Sequence, residues 1–238
     1  MQIELLEQPR LGATSALDFL RTHLADPDVT HLHIVVAWSR PSGLALLRPS
    51  LQAFRARGGI ATLVTCLSAS SASIDGLRDA LELFDEVSVA FDPTERTVHT
   101  KLYVALSPAA THIAIGSQNI TRGGLATNHE LGVGLTFDTE PRHPFVDQVL
   151  DYVSTLTNDT NLVHRLDDEL LARLAVSNQV QFTPAYPGAV TRKDAIFAAS
   201  TRRFRTDDAK SPRSHRPALR LPDAPPPRWW QRWFRRGA

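Results

Sequence analysis

The chain has 238 residues, 42% of them hydrophobic, and a formal net charge of +1. Its single cysteine, Cys66, excludes an intrachain disulfide, the acidic start MQIELLEQPR is unlike a secretory signal, and no apolar run approaches the roughly 18 residues that cross a bilayer. We therefore expect a soluble, cytoplasmic protein with one globular domain and appendages.

The small net charge hides an asymmetry between the body and the end of the chain. Residues 202–238 contain eleven Lys and Arg residues and three acids, a net charge of +8, whereas the rest of the chain carries −7. A basic extension on an acidic body predicts an anionic partner for the extension: nucleic acid, a phospholipid surface or the body itself.

In chain order, the first half alternates helices and strands. Apolar residues at helical spacing predict helices over 14–25, from 43 to the glycines at 58 and 59, and over 74–84. β-Branched runs predict strands over 31–39, 60–66 and 86–91. Because parallel neighbours need a crossover that a helix normally supplies, this alternation predicts an α/β fold with a mixed, largely parallel sheet and helices on both faces.

The second half begins with two extended runs, over 98–106 and 111–117, which the turn SPAA separates. They predict an antiparallel pair at the middle or the edge of the sheet. A Gly-rich loop and another strand follow, and apolar spacing then predicts helices over 141–156 and 162–176.

Composition divides the chain into three parts. We expect the main domain over 1–160, a helical extension over 161–200, and a Pro-, Arg- and Trp-rich tail over 201–238. Since the tail has no apolar periodicity, we expect it to be poorly ordered.

The segment VHTKLYVAL places His99 and Lys101 two residues apart on a predicted strand. Side chains alternate along an extended chain, so both point to the same face and can enter one pocket. The segment GSQN follows at 116–119, and Glu130 opens the next predicted strand.

This set of side chains suits chemistry at a phosphodiester. A neutral imidazole of His99 can attack phosphorus to give a phosphoramidate, which divides hydrolysis into two displacements and needs no metal. Lys101 supplies positive charge, and Ser117 and Asn119 supply neutral donors for the phosphate oxygens. Gly116 is expected to leave room for the phosphate beside the backbone.

A histidine nucleophile also needs its second nitrogen fixed, which a carboxylate can do by accepting its hydrogen bond. Glu130 is the candidate. We therefore predict a catalytic set without a metal or a cofactor, composed of His99, Lys101, Ser117, Asn119 and Glu130.

Two residue pairs lie in and at the end of the predicted strand over 31–39. His31 and His33 share a strand face at a spacing that metal ligands use, but no acid or thiol accompanies them, so we expect packing. Trp38 and Ser39 follow a predicted strand at its carboxyl end, where ligand sites of α/β folds gather, so we expect them to line the cleft.

The segments HTK at 99–101, GSQNIT at 116–121 and NHE at 128–130 resemble the phospholipase D superfamily, whose half-site motif is H-x-K-x4-D followed by G-S-x-N. Leu106 stands at the position of the aspartate. The bacterial phospholipase D-like nuclease branch, which often reads HAKLY and GSxNxT, tends to show the same departure. The resemblance covers roughly residues 10–160.

The resemblance implies a covalent phosphohistidine mechanism with two HxK half-sites that meet at a twofold axis, and Glu130 in the role of the acid that orients the histidine. The chain has one HxK motif. The resemblance therefore implies a homodimer, in which His99 of one copy attacks and His99 of the other protonates the leaving oxygen.

The substrate class follows less directly, because histidine attack on phosphorus serves nucleases, phospholipases and phosphatidyl transferases. The motif sequences HTKLY and GSQNIT and the basic tail favour a nuclease, one that acts on DNA rather than RNA. The alternative is a non-catalytic subunit that binds nucleic acid or a partner, in a defence or restriction assembly. A lipid enzyme is the third candidate.

The tail ends in PPPRWWQRWFRRGA, where aromatic and basic residues alternate. Such residues could stack on bases and neutralise phosphates, lie in a membrane interface, or dock on a protein partner or the body. The candidate nucleic-acid contacts in this segment are Arg228, Trp229, Trp230, Arg232, Trp233, Arg235 and Arg236.

Overall fold

The computed structural model describes residues 1–9, 12–67, 72–92 and 97–177. The predicted tail over 201–238, with its candidate contacts at 228–236, lies outside these residues. The strands are β1 (Gln2–Gln8), β2 (His31–Val36), β3 (Ile60–Cys66), β4 (Glu86–Ala90), β5 (Lys101–Leu106), β6 (Ala110–Gly116), β7 (Glu130–Asp138) and β8 (Val163–Arg165). The α-helices are α1 (Ala16–Ala25), α2 (Pro41–Ala56), α3 (Ile74–Leu83), α4 (Pro144–Asn158) and α5 (Asp168–Ser177), and a π-helical turn spans Gly123–Thr127.

Local signals fix where the helices begin. Ser15 caps α1 through a capping box with Asp18, and Ser73 caps α3 by accepting from the Gly76 N–H. α2 and α4 each begin with a proline, whose missing N–H costs nothing in a first turn.

The eight strands form one sheet in the order β1-β7-β6-β5-β2-β3-β4-β8. The predicted mixed α/β sheet flanked by helices is confirmed, and so is the antiparallel pair β5–β6. The share of parallel neighbours is smaller than expected: β2–β3 and β3–β4 are parallel, while the other neighbouring pairs are antiparallel. The antiparallel part arises because β5, β6 and β7 follow one another without a crossover helix.

The two faces of the sheet bury separate cores. One face packs against α1, α2, α3 and α5 around Tyr103, Phe54 and Leu20. The other packs against α4, which contributes Val149, Leu150 and Val153. Alternating side chains along each strand supply the two cores, so the layers follow from strand geometry.

Part of the α4 face of the sheet lies open beyond that helix. Leu5 of β1, Val133 of β7 and Ile115 of β6 are direct neighbours across three strands. Ile3 and Leu131 extend this row on either side, and Leu5, Ile3 and Leu131 are 56%, 64% and 57% exposed. We call these five residues the open face.

Two strands were not predicted. β1 lies at the sheet edge, where the apolar residues Ile3 and Leu5 are exposed while Leu6 and the polar Gln8 are buried, so its sequence lacks the alternation that predicts a strand. β8 has three residues and lies inside the predicted helix over 162–176, of which α5 forms the rest.

Two further properties of the described residues concern membrane spans and the cysteine. None of their helices has the length and apolar content that crossing a bilayer requires. Cys66, at the end of β3, is buried.

Candidate active site

Three strand ends meet where the candidate residues lie. β5 begins at Lys101, β6 ends at Gly116 and β7 begins at Glu130. Because these neighbours run antiparallel, the start of β5, the end of β6 and the start of β7 fall at one end of the sheet. The topology thus brings residues 99–101, 117–119 and 130 to one end of the sheet.

Lys101 and His99 are in direct contact. Lys101 Nζ donates to the His99 carbonyl oxygen at 2.9 Å and lies 2.7 Å from Nδ1 and 3.0 Å from Nε2 of the ring. Lys101 is buried, whereas His99 is exposed. Burial lowers the pKa of the Lys101 ammonium, and the negative charge of Glu130 opposes this shift. The pair places a cation directly beside an accessible imidazole.

Glu130 is held by the two segments beside it. Ser117 Oγ donates to Glu130 Oε2, and Asn128 Nδ2 donates to Glu130 Oε1 at 3.1 Å. The Leu131 N–H donates to Ser117 Oγ at 3.2 Å and completes the link between β6 and β7. Within the part of the chain that the structure describes, the Glu130 carboxylate is hydrogen-bonded to Ser117 and Asn128 and not to His99. The role of Glu130 in orienting His99 therefore stays a prediction.

Asn119 is oriented by the loop that follows β2. Its Oδ1 accepts from the Trp38 N–H at 3.0 Å, which leaves the donor group Nδ2 to meet a ligand. Ile120 continues the contact, since its N–H donates to the Trp38 carbonyl at 3.0 Å and it forms a parallel bridge with Ser39. Trp38 and Ser39 therefore lie beside the candidate site.

The structure places Gly116 differently from the expectation. We expected it to leave room for a phosphate, but the side chain of Gln118 lies against it: a Cβ on Gly116 would come within 2.3 Å of Gln118 Oε1. The Gln118 side chain, and not a phosphate, therefore fills the space beside Gly116.

Three residues of the site were missed from the sequence. Asn128 stands in the NHE segment, where its spacing from Glu130 was a usable signal. Thr100 lies between His99 and Lys101, and its hydroxyl is hydrogen-bonded to the phenol of Tyr152 on α4. Nothing in the local pattern of α4 points to this contact.

Chemically, the arrangement suits a tetrahedral anion. The cation of Lys101 and the amide of Asn119 can donate to non-bridging oxygens, and the His99 imidazole has the chemistry of a nucleophile, whereas Ser117 gives its one hydroxyl proton to Glu130 here. His31 and His33 lie elsewhere: their rings stack 6.2 Å apart on β2, and His33 Nδ1 is hydrogen-bonded to Thr62 Oγ1 at 2.8 Å, which agrees with the expected packing role.

No protein-family model matches the sequence, and no curated protein matches it. Solved structures do. Nuc from Salmonella typhimurium, a phospholipase D family member, matches with a TM-score of 0.52 and 14% identity over 70% of this chain and 99% of Nuc. Phosphatidylserine synthase from Haemophilus influenzae Rd KW20 matches with a TM-score of 0.50 and 12% identity over 74% of this chain and 46% of the synthase. At these identities the likeness is one of fold.

Proposed function

We propose that this chain, which has the fold of the phospholipase D superfamily, is a metal-independent phosphodiesterase that cuts nucleic acid, DNA in preference to RNA. One observation carries the proposal: Nζ of the buried Lys101 lies 2.7 Å from Nδ1 of the exposed His99, at the sheet end that also holds Ser117 and Asn119. A nucleophile, a cation and two neutral donors are what displacement at a phosphodiester needs.

The first step forms a covalent intermediate. The unprotonated nitrogen of His99 attacks phosphorus in line, an N–P bond forms, and the P–O bond to the leaving strand breaks. The His99 imidazolium of a second copy gives its proton to the leaving oxygen. Lys101 and Asn119 stabilise the charge on the non-bridging oxygens through this step, and Ser117 joins them when its hydroxyl turns from Glu130 to the phosphate.

The second step releases the product. Water attacks phosphorus, gives one proton to the now neutral His99 of the second copy, and the N–P bond breaks. Phosphate monoester leaves, and both histidines return to their starting protonation states. The two half-reactions balance without a further reactant.

The open face supports a homodimer as the working unit. One copy supplies one HxK motif, so the mechanism needs a second copy nearby. The open face is continuous with the site, because Leu131 follows Glu130 and its N–H is bonded to Ser117. We therefore propose that a second copy of this chain covers it, together with the adjoining surface of α4. Exposed apolar rows of this kind mark interaction surfaces on soluble proteins.

The test is cleavage of single- and double-stranded DNA and RNA in excess EDTA by wild type, His99→Ala and a control, His164→Gln, whose position is on β8 at the opposite edge of the sheet. We expect wild type and the control to cut DNA, and His99→Ala to lose at least about a thousandfold, because the nucleophile is absent. Mass spectrometry of quenched wild type should detect the adduct on His99.

Other outcomes separate the alternatives. Turnover of phosphatidylcholine vesicles without DNA cleavage would identify a lipid enzyme. DNA binding without cleavage by the dimer would identify a non-catalytic subunit, such as one of a defence or restriction assembly. Either result would contradict the proposed function.

A further inference from the structure

Gln118 occupies the middle of the segment that carries two candidate phosphate contacts. It stands between Ser117 and Asn119 and is 2% exposed, although it lies outside the strands and helices. Polar side chains are seldom so buried. Its packing therefore needs a structural reason.

Two glycines form the notch that holds its side chain. Gly116 and Gly132 are directly paired between β6 and β7. A Cβ on Gly116 would lie 2.3 Å from Gln118 Oε1, and a Cβ on Gly132 would lie 2.9 Å from both Oε1 and Nε2. Both distances are below normal van der Waals contact, so the notch exists because neither residue has a side chain.

The backbone of Gln118 is tied to the strand that carries Lys101. The Tyr103 hydroxyl donates to the Gln118 carbonyl oxygen at 2.8 Å, and Tyr103 is fully buried two residues after Lys101 on β5. Burial raises the pKa of the Tyr103 phenol, so the hydroxyl stays protonated and remains a donor.

We propose that Gln118 is a positioning residue that sets Ser117 and Asn119 against Lys101. Its side chain lies in the notch of β6 and β7, and its carbonyl is held by β5, so one residue joins the three strands whose ends form the site. The inference rests on the proposed function for its effect on catalysis.

The shape of the side chain is what the notch recognises. Among the described residues, the hydrogen bond that Gln118 makes uses its backbone carbonyl, and none uses its side-chain amide. An unbranched side chain of similar length should therefore replace it. Methionine meets this requirement, whereas alanine leaves the notch empty.

The test compares Gln118→Ala, Gln118→Met and, as a matched control, Gln52→Ala at an exposed glutamine of α2. The readouts are kcat and KM for DNA cleavage in EDTA, and hydrogen exchange of the amides at 117–121. Since a displacement of about 1 Å can cost on the order of a hundredfold in rate, we expect alanine to lower kcat by about 10- to 100-fold with little change in KM. Exchange should become faster in the alanine variant, and methionine should restore both readouts.

Two results would overturn the inference: wild-type kcat in Gln118→Ala, or equal loss in the alanine and methionine variants. If wild type cuts no DNA, the proposed function fails, and hydrogen exchange alone decides about Gln118. Unchanged exchange in the alanine variant would then refute the positioning role, whereas faster exchange that methionine reverses would support it.

Discussion

Gly43 of α2 packs directly on the backbone of Ile120, so closely that a Cβ at residue 43 would lie 2.3 Å from the Ile120 carbonyl carbon and 2.4 Å from the Thr121 nitrogen. Backbone atoms cannot move aside as a flexible side chain can. The position of α2, the helix that follows β2, therefore limits how closely the loop that contains Asn119 can approach it.

Gly43→Ala should strain this contact. We expect the free energy of unfolding to fall by roughly 1 to 3 kcal/mol, the usual effect of inserting a methyl group into a packed region, with lower DNA cleavage as the loop moves. Chemical denaturation and cleavage assays check this. Ala45→Ser, at an exposed position of the same helix, is the control. Wild-type stability in Gly43→Ala would show that the loop yields without cost.

The hydrogen bond between Thr100 and Tyr152 joins the HxK segment to α4. A double-mutant cycle with Thr100→Val and Tyr152→Phe should give a coupling of about 0.5 to 1.5 kcal/mol in the free energy of unfolding, the usual net value of a hydrogen bond. Strictly additive effects would mean that the pair contributes nothing to the stability of the folded chain.

The open face should control assembly. Leu5→Glu and Val133→Glu place charges in the centre of the apolar row, and each should shift the protein from dimer to monomer and abolish DNA cleavage. Sedimentation velocity measures the first effect. The control is Val176→Glu, which changes an 83% exposed apolar residue on α5. Because α5 packs on the other face of the sheet, this variant should leave the dimer intact. A stable dimer of the two open-face variants would place the interface elsewhere.

Two histidines should make the folded state sensitive to acid. Burial, followed by the charge of His112, lowers the pKa of His23 to about 4, and burial, followed by His31, lowers the pKa of His33 to about 3. The unfolded chain binds these protons near pH 6.5, so between about pH 6.5 and 4 it holds more protons than the folded chain. The free energy of unfolding should therefore fall as the pH is lowered through this window.

Each histidine can contribute at most about 1.4 kcal/mol per pH unit to that slope. His23→Gln should make the slope shallower by removing one group, and urea denaturation across pH 4 to 7 measures it. The His23 ring stacks on His112 at 3.8 Å, so protonation of either ring would place a charge against its neighbour. An unchanged slope in His23→Gln would contradict the assignment.

Much of this site could be predicted because its chemistry lies in short segments. The HTK and GSQN segments name four of the five candidate residues, and the order of strands implies that they meet. The direction of β5 was harder, since the sequence between β4 and β5 shows no helical periodicity and nothing local says which neighbour β5 pairs with. The role of Gly132 could not be read at all, because a glycine that accommodates Gln118 is visible only when two strands are side by side.

The buried position of Cys66 has a practical consequence for the assembly question. It is the one cysteine of the chain and its thiol is enclosed, so a maleimide reagent should find no native thiol at the surface of the folded protein. A cysteine introduced by Val176→Cys, at an exposed position away from the open face, would then carry a spin label selectively. Dipolar spectroscopy would report one distance between the two labels of a symmetric pair, and no labelled site elsewhere would blur it.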